Sequence, residues 1–71
     1  MAIMESTGII RRIVERDGVF RVSFPEHAGY FSIAPDTADA AALEQRLRSA
    51  ADTGATITFR FDARLRITEI L

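Results

Sequence analysis

The stretch ADAAALEQRLRSAAD, residues 38–52, decides how the chain is organised. Ala40, Leu43, Leu47, Ala50 and Ala51 recur at helical spacing and form one apolar stripe. Glu44 and Arg48 form an i,i+4 pair in the favourable order. Pro35-Asp36-Thr37 precedes the stretch, with N-cap residues to start a helix. Asp36 and Asp39 fit its N-terminus, where the helix dipole favours anions. Asp52-Thr53-Gly54 follows, with Gly54 placed to close it. The expectation is one helix of about three to four turns over residues 38–52.

On both sides of this helix the apolar period changes from 3.6 to 2. Working backward, Tyr30 to Ala34 reads as a strand with Phe31 and Ile33 inward and Tyr30 and Ser32 outward. Val19 to Phe24 is a second strand, with Phe20, Val22 and Phe24 on one face and Val19, Arg21 and Ser23 on the other. Pro25 ends it, and Glu26 to Gly29 is a loop carrying the single His, His27. Asp17-Gly18 is a hairpin signal, because Gly supplies positive φ. Gly8 to Arg16 is a first strand with imperfect alternation, which predicts a bulge near Arg11–Arg12. Residues 1–7 read as a loose leader before a single domain spanning 8–71.

Working forward, Ala55 to Phe61 alternates with Ile57, Phe59 and Phe61 on one face. Asp62-Ala63-Arg64 is a turn, and Leu65 to Leu71 the last strand. Ile70 and Leu71 do not both fit one face of it. The expected core is Ile13, Phe20, Val22, Phe24, Phe31, Ile33, Leu43, Leu47, Ile57, Phe59 and Ile67.

The fold class expected is therefore all-β with one helix, in the order β-β-β-α-β-β. Strands and helix do not alternate, which argues against a parallel doubly wound sheet. A helix between the third and fourth strands is the element order of a small five-stranded OB-like barrel. At this length of 71 residues, the chain resembles a minimal OB-fold domain. Its layout is similar to the bacterial translation initiation factor one family. The shared pieces are Gly8, Phe20-Arg21-Val22, and Thr53-Gly54 leading into the alternating fourth strand. That family carries a Lys/Arg-rich segment before its fourth strand. Residues 36–52 are instead Ala-rich and close to neutral, so the resemblance implies an architecture and not a ribosomal role.

Composition limits the function classes. A hydrophobic fraction of 48% with 27% charged residues is globular. Without Cys, disulfides and thiolate metal sites are ruled out. A net charge of −1 argues against a strongly basic nucleic-acid binder, although all nine basic residues are Arg. The N-terminus has no signal-peptide pattern and no window reads as a membrane span, so a cytoplasmic protein is expected.

No catalytic constellation is visible. His27 lacks a spaced partner and reads as a surface loop residue, and the carboxylates sit in turns or beside Arg. The expectation is no enzyme, no metal and no cofactor. Two binding readings remain. One is a protein-interaction or self-assembly module, a homo-oligomer or a binder of another protein. It rests on the near-zero charge and the leftover apolar residues Ile3, Met4, Ile9, Val19, Ile70 and Leu71. The alternative is a module for single-stranded nucleic acid or oligosaccharide. Its candidate ligand-binding residues are Arg21, Tyr30 and Ser32 on the outward strand faces and Arg64 in the last turn. A contiguous Arg stripe beside Tyr30 would favour the alternative. Arg60, Arg64 and Arg66, with Arg12 on the first strand, could form a stripe but are expected to pair with Glu15, Asp62 and Glu69 across neighbouring strands.

Overall fold

A computed structural model describes residues 3–35, 37 and 39–71. It contains six strands and one helix: β1 Met4–Ile9, β2 Arg12–Arg16, β3 Val19–Ser23, β4 Tyr30–Ile33, α1 Ala40–Thr53, β5 Thr56–Phe61 and β6 Arg66–Ile70. The strands form one sheet in the order β1-β5-β6-β4-β3-β2. All neighbours are antiparallel except β4 and β6, which run parallel. The protein is thus mostly β with one helix, as expected.

Two expectations need correction. The sheet has six strands, not five, and no ladder joins its edge strands β1 and β2 to close a barrel. The physical reason is a break in the expected first strand at Ile10–Arg11. Ile10 is buried, and Ile13 faces the core opposite the fully buried Val22. Three residues apart, the two side chains can share a face only if the chain leaves alternation between them. The second correction concerns the loose leader. Met4 to Thr7 is ordered as a strand pairing with β5, from Met4 opposite Phe61 to Ile9 opposite Thr56. Met1 and Ala2 lie outside the described residues.

The same device resolves the last strand. Phe61 pairs with Ile67 and Arg60 with Glu69, so Thr68 is an extra residue in β6. That slip turns both Ile67 and Ile70 inward and leaves Leu71 exposed. At the hairpin between β2 and β3, Asp17 and Gly18 have φ of 55° and 75°. Two successive positive φ values match the right-handed twist of the flanking strands.

α1 packs on β2 and β4 and buries Leu43, Leu47 and Ala50. Its stop is as expected: Gly54 is left-handed at φ 69° and its N–H reaches the Ala50 carbonyl. At the start, the Asp39 carbonyl accepts from Leu43 N, while the Asp39 side chain makes no capping bond. Asp36 lies outside the described residues.

The core is aromatic. Phe59 stacks on Phe24 with centroids 4.5 Å apart, and Phe31 meets Phe24, Phe59 and Phe61 edge to face. Edge-to-face pairs place the positive ring edge on a negative ring face. Of the expected core residues, Ile13, Ile33 and Ile57 are only partly buried. Ile10, Phe61 and Ile70 join the core beyond those expected.

Candidate binding face on strands β2 to β4

Side chains opposite one another in an antiparallel pair share a face. The register therefore builds the outer face of β2, β3 and β4 row by row. Arg12, Ser23 and Tyr30 form one row; Val14, Arg21 and Ser32 form the next; Arg16 and Val19 form the third. The parallel pairing extends the second row to Arg66. Arg12, Val14, Arg16, Arg21 and Tyr30 line a shallow groove of about 300 Å³. Tyr30 is 41% exposed, so its ring is available to a ligand.

The structure brings together two of the four expected binding residues, Arg21 and Tyr30. Ser32 is the rung neighbour of Arg21 but lines the adjoining hollow beside Val19 and α1. Arg64 does not line the groove. Its turn does pack beside the start of β4: Leu65 O accepts from Ser32 N, and the Leu65 side chain lies against Gly29. A Cβ on Gly29 would come within 2.8 Å of that side chain, so glycine allows the close approach.

Sequence reasoning left Arg12, Val14 and Arg16 out of the groove. Their signal was present in Arg12-x-Val14-x-Arg16, which alternates on one face of β2. Only the register of β2 against β3 shows that this face continues into Arg21 and Tyr30.

Charge pairing separates these arginines from the others. Arg48 is held by Glu15 at 2.8 Å and Glu44 at 3.0 Å, and lies over the Phe20 ring. Both carboxylates raise the pKa of Arg48, mainly through its hydrogen bonds to Glu15 and then Glu44. Arg60 sits between Glu5 and Glu69, and Arg66 pairs with Asp62 at 2.9 Å. So Arg60 and Arg66 pair as the sequence predicts, while Glu15 goes to Arg48 and, among the described residues, neither Arg12 nor Arg64 takes the carboxylate partner expected of it. Among the described residues, no carboxylate pairs with Arg12, Arg16 or Arg21. The groove thus carries three uncompensated guanidinium groups beside one aromatic ring.

Asp62 organises the β5–β6 turn. Its carboxylate accepts from Arg64 N, Arg66 N and Arg66 Nε. Burial pushes its pKa up, but the two backbone N–H groups and the Arg66 guanidinium outweigh that and hold it below the ordinary value. Leu65 has a positive φ of 58°, and Leu65 N closes the turn onto Asp62 O.

His27 is not the surface residue expected. It is half-buried, its Nε2 is 3.0 Å from Ser6 Oγ, and its ring packs edge-on against Phe31 and Phe61. The PEHAG loop also brings the Glu26 side chain to Gly8, where a Cβ would approach Oε1 to 2.6 Å. The loop therefore covers the inward face of β1. Among the described residues, no group of three or more His, Cys, Asp or Glu could hold a metal ion. No helix among them is long and apolar enough to cross a membrane.

No protein-family model matches this chain, and neither a curated protein nor a solved structure matches it significantly.

Proposed function

We propose that this protein is a non-enzymatic OB-type module that binds single-stranded nucleic acid on the outer face of β2, β3 and β4. The architectural part rests on the sheet order. β1 and β2 are consecutive pieces of one chain run, yet they occupy opposite edges of the sheet. Counted as one strand, they give the circuit first-second-third-fifth-fourth-first of an OB barrel. In that fold the second and third strands, with the loops at their sides, form the usual ligand face. Here those strands are β3 and β4.

The observation that carries the functional reading is the groove of Arg12, Arg16, Arg21 and Tyr30, whose arginines pair with no carboxylate among the described residues. Unpaired guanidinium groups favour a polyanion over a neutral sugar, because Arg binds phosphate oxygens bidentately. Tyr30 supplies one ring on which a base stacks. A cytoplasmic location accords with such a ligand.

The test is an anisotropy titration with a mixed-sequence single-stranded oligonucleotide at several salt concentrations, beside a panel of neutral oligosaccharides. With three phosphate contacts, log K should fall against log salt with a slope of about −2. Tyr30→Ala should remove roughly 1–3 kcal/mol. Arg21→Ala should flatten the slope by about 0.7. Binding of a sugar with no salt dependence, or of neither ligand, refutes the nucleic-acid reading.

A second reading has its own observation. The exposed apolar residues Ile3, Met4 and Ile9 lie on or beside the edge strand β1, and exposed Leu71 ends the chain after β6. An edge strand with apolar side chains favours pairing between copies. Sedimentation tests this homo-oligomer reading: Ile9→Lys should shift the chain toward monomer. A wild-type protein monomeric at high concentration removes it.

A further inference from the structure

The break at Ile10–Arg11 does more than turn the strand. Arg12 lines the groove beside Tyr30, and it also lines a second hollow of about 600 Å³ between β2 and α1. Arg11 enters only this second hollow. Ile10 and Ile13 line it from the strand side, and Gln45 and Ser49 from α1. Arg48 also lines it but is engaged by Glu15 and Glu44. Arg11 pairs with no carboxylate among the described residues.

We infer that the two hollows form one track, on which a nucleic-acid strand passes from Tyr30 over Arg12, around the β2 edge, to a second base site against α1. This rests on the function proposed above and adds the extent and path of the ligand. The chemistry fits at each step. Arg12 stands between the hollows, where a phosphate linking two nucleotides would lie. Arg11 offers the next phosphate a guanidinium. The second hollow has twice the volume of the first, with Ile10 and Ile13 for a base to lie against and side-chain amide and hydroxyl groups to meet its edge. Among the described residues, Asp52 is the one carboxylate lining this hollow, and no arginine pairs with it. It repels a phosphate, so the backbone runs along the Arg11 side and the base points toward the helix.

The experiment compares thymidine 5′-monophosphate with an oligothymidylate of about 12 nucleotides, a length within the range OB-type sites cover. The short ligand, a single nucleotide, stacks on Tyr30 and cannot span both hollows; the long one fills both. Arg11→Ala should weaken the long ligand roughly eightfold at about 0.05 M salt and lower its salt slope by about 0.7. It should leave the short ligand unchanged. The variant keeps the fold, since Arg11 is exposed and its structural contact is the backbone bond from its N–H to Ser23 O. Gln45→Ala should likewise affect only the long ligand. Tyr30→Ala should weaken both. If Tyr30→Ala weakens both ligands and Arg11→Ala affects neither or both equally, the track is wrong and the single groove stands. If wild type binds neither ligand, the proposed function fails and the track with it.

Discussion

Truncating Phe59 tests the packing on which every surface described above depends. Its side chain is fully buried, stacked on Phe24 at 4.5 Å and in contact with Phe31 and Phe61 at 5.3 and 5.7 Å. Phe59→Ala removes a ring packed against three others and leaves a cavity that β5, bound on both sides by β1 and β6, cannot collapse into. Such truncations cost about 3–5 kcal/mol. The three aromatic contacts, each worth ~0.5–1.5 kcal/mol beyond burial, place the expectation at the upper end, about 5 kcal/mol. A domain of 71 residues has a total stability of roughly 4–10 kcal/mol. The variant should therefore be largely unfolded, or melt at a much lower temperature. Phe59→Leu keeps most of the volume and should retain a cooperative transition. Urea unfolding followed by circular dichroism reads all three proteins. An alanine variant with an unchanged midpoint would refute the core assignment and the sheet register built on it.

Other expectations follow from single contacts. Asp62 is held below its ordinary pKa of 3.8, so its contribution is present above that value and lost as pH falls through the lower folded value. Asp62→Asn should therefore be less stable at neutral pH, and its gap from wild type should narrow below about pH 4; a gap constant down to about pH 2.5 contradicts this. Gly54→Ala should cost about 1 kcal/mol and lower Tm by roughly 4–8 °C, because φ of 69° strains any Cβ; an unchanged Tm places the helix end elsewhere.

The sequence made the helix and the central hairpin legible because their signals are local. Leu43 and Leu47 mark one helical face, Gly54 marks its end, and Asp17-Gly18 needs no distant partner. β1 was not legible. Its inward residues after Met4 are Ser6, Gly8 and then Ile10, which show no apolar alternation. The reason is that their partners are a polar loop, with His27 on Ser6 and Glu26 beside Gly8. Likewise Ile67 and Ile70 conflict until the extra residue Thr68 is seen against β5. Arg21 and Tyr30 could be placed outward from alternation alone. Arg12, Val14 and Arg16 joined them only through the register of β2 on β3, which is set by a break that sequence alone located only roughly.

Net charge was the strongest sequence argument against an anionic ligand, and the pairing of charges in the structure bears on its weight. Five carboxylates, Glu5, Glu15, Glu44, Asp62 and Glu69, are spent on Arg48, Arg60 and Arg66. Those eight groups sum to −2, leaving +1 for the rest of a chain at −1. The groove holds three of the remaining arginines. Glu5 is held by Arg60 and does not line the groove. At physiological salt the Debye length is about 8 Å, so a phosphate in the groove feels the local arginines far more than Glu5. At about 0.01 M salt that length grows to about 30 Å, comparable to the 31 Å long axis of the molecule, and the ligand feels the whole chain at −1. The gain in affinity on lowering salt should therefore flatten below about 0.01 M, where a uniformly basic binder would keep tightening. A log–log plot that stays straight through that range would mean that distant carboxylates do not offset the groove, and that its field is not the sum worked out from these pairings.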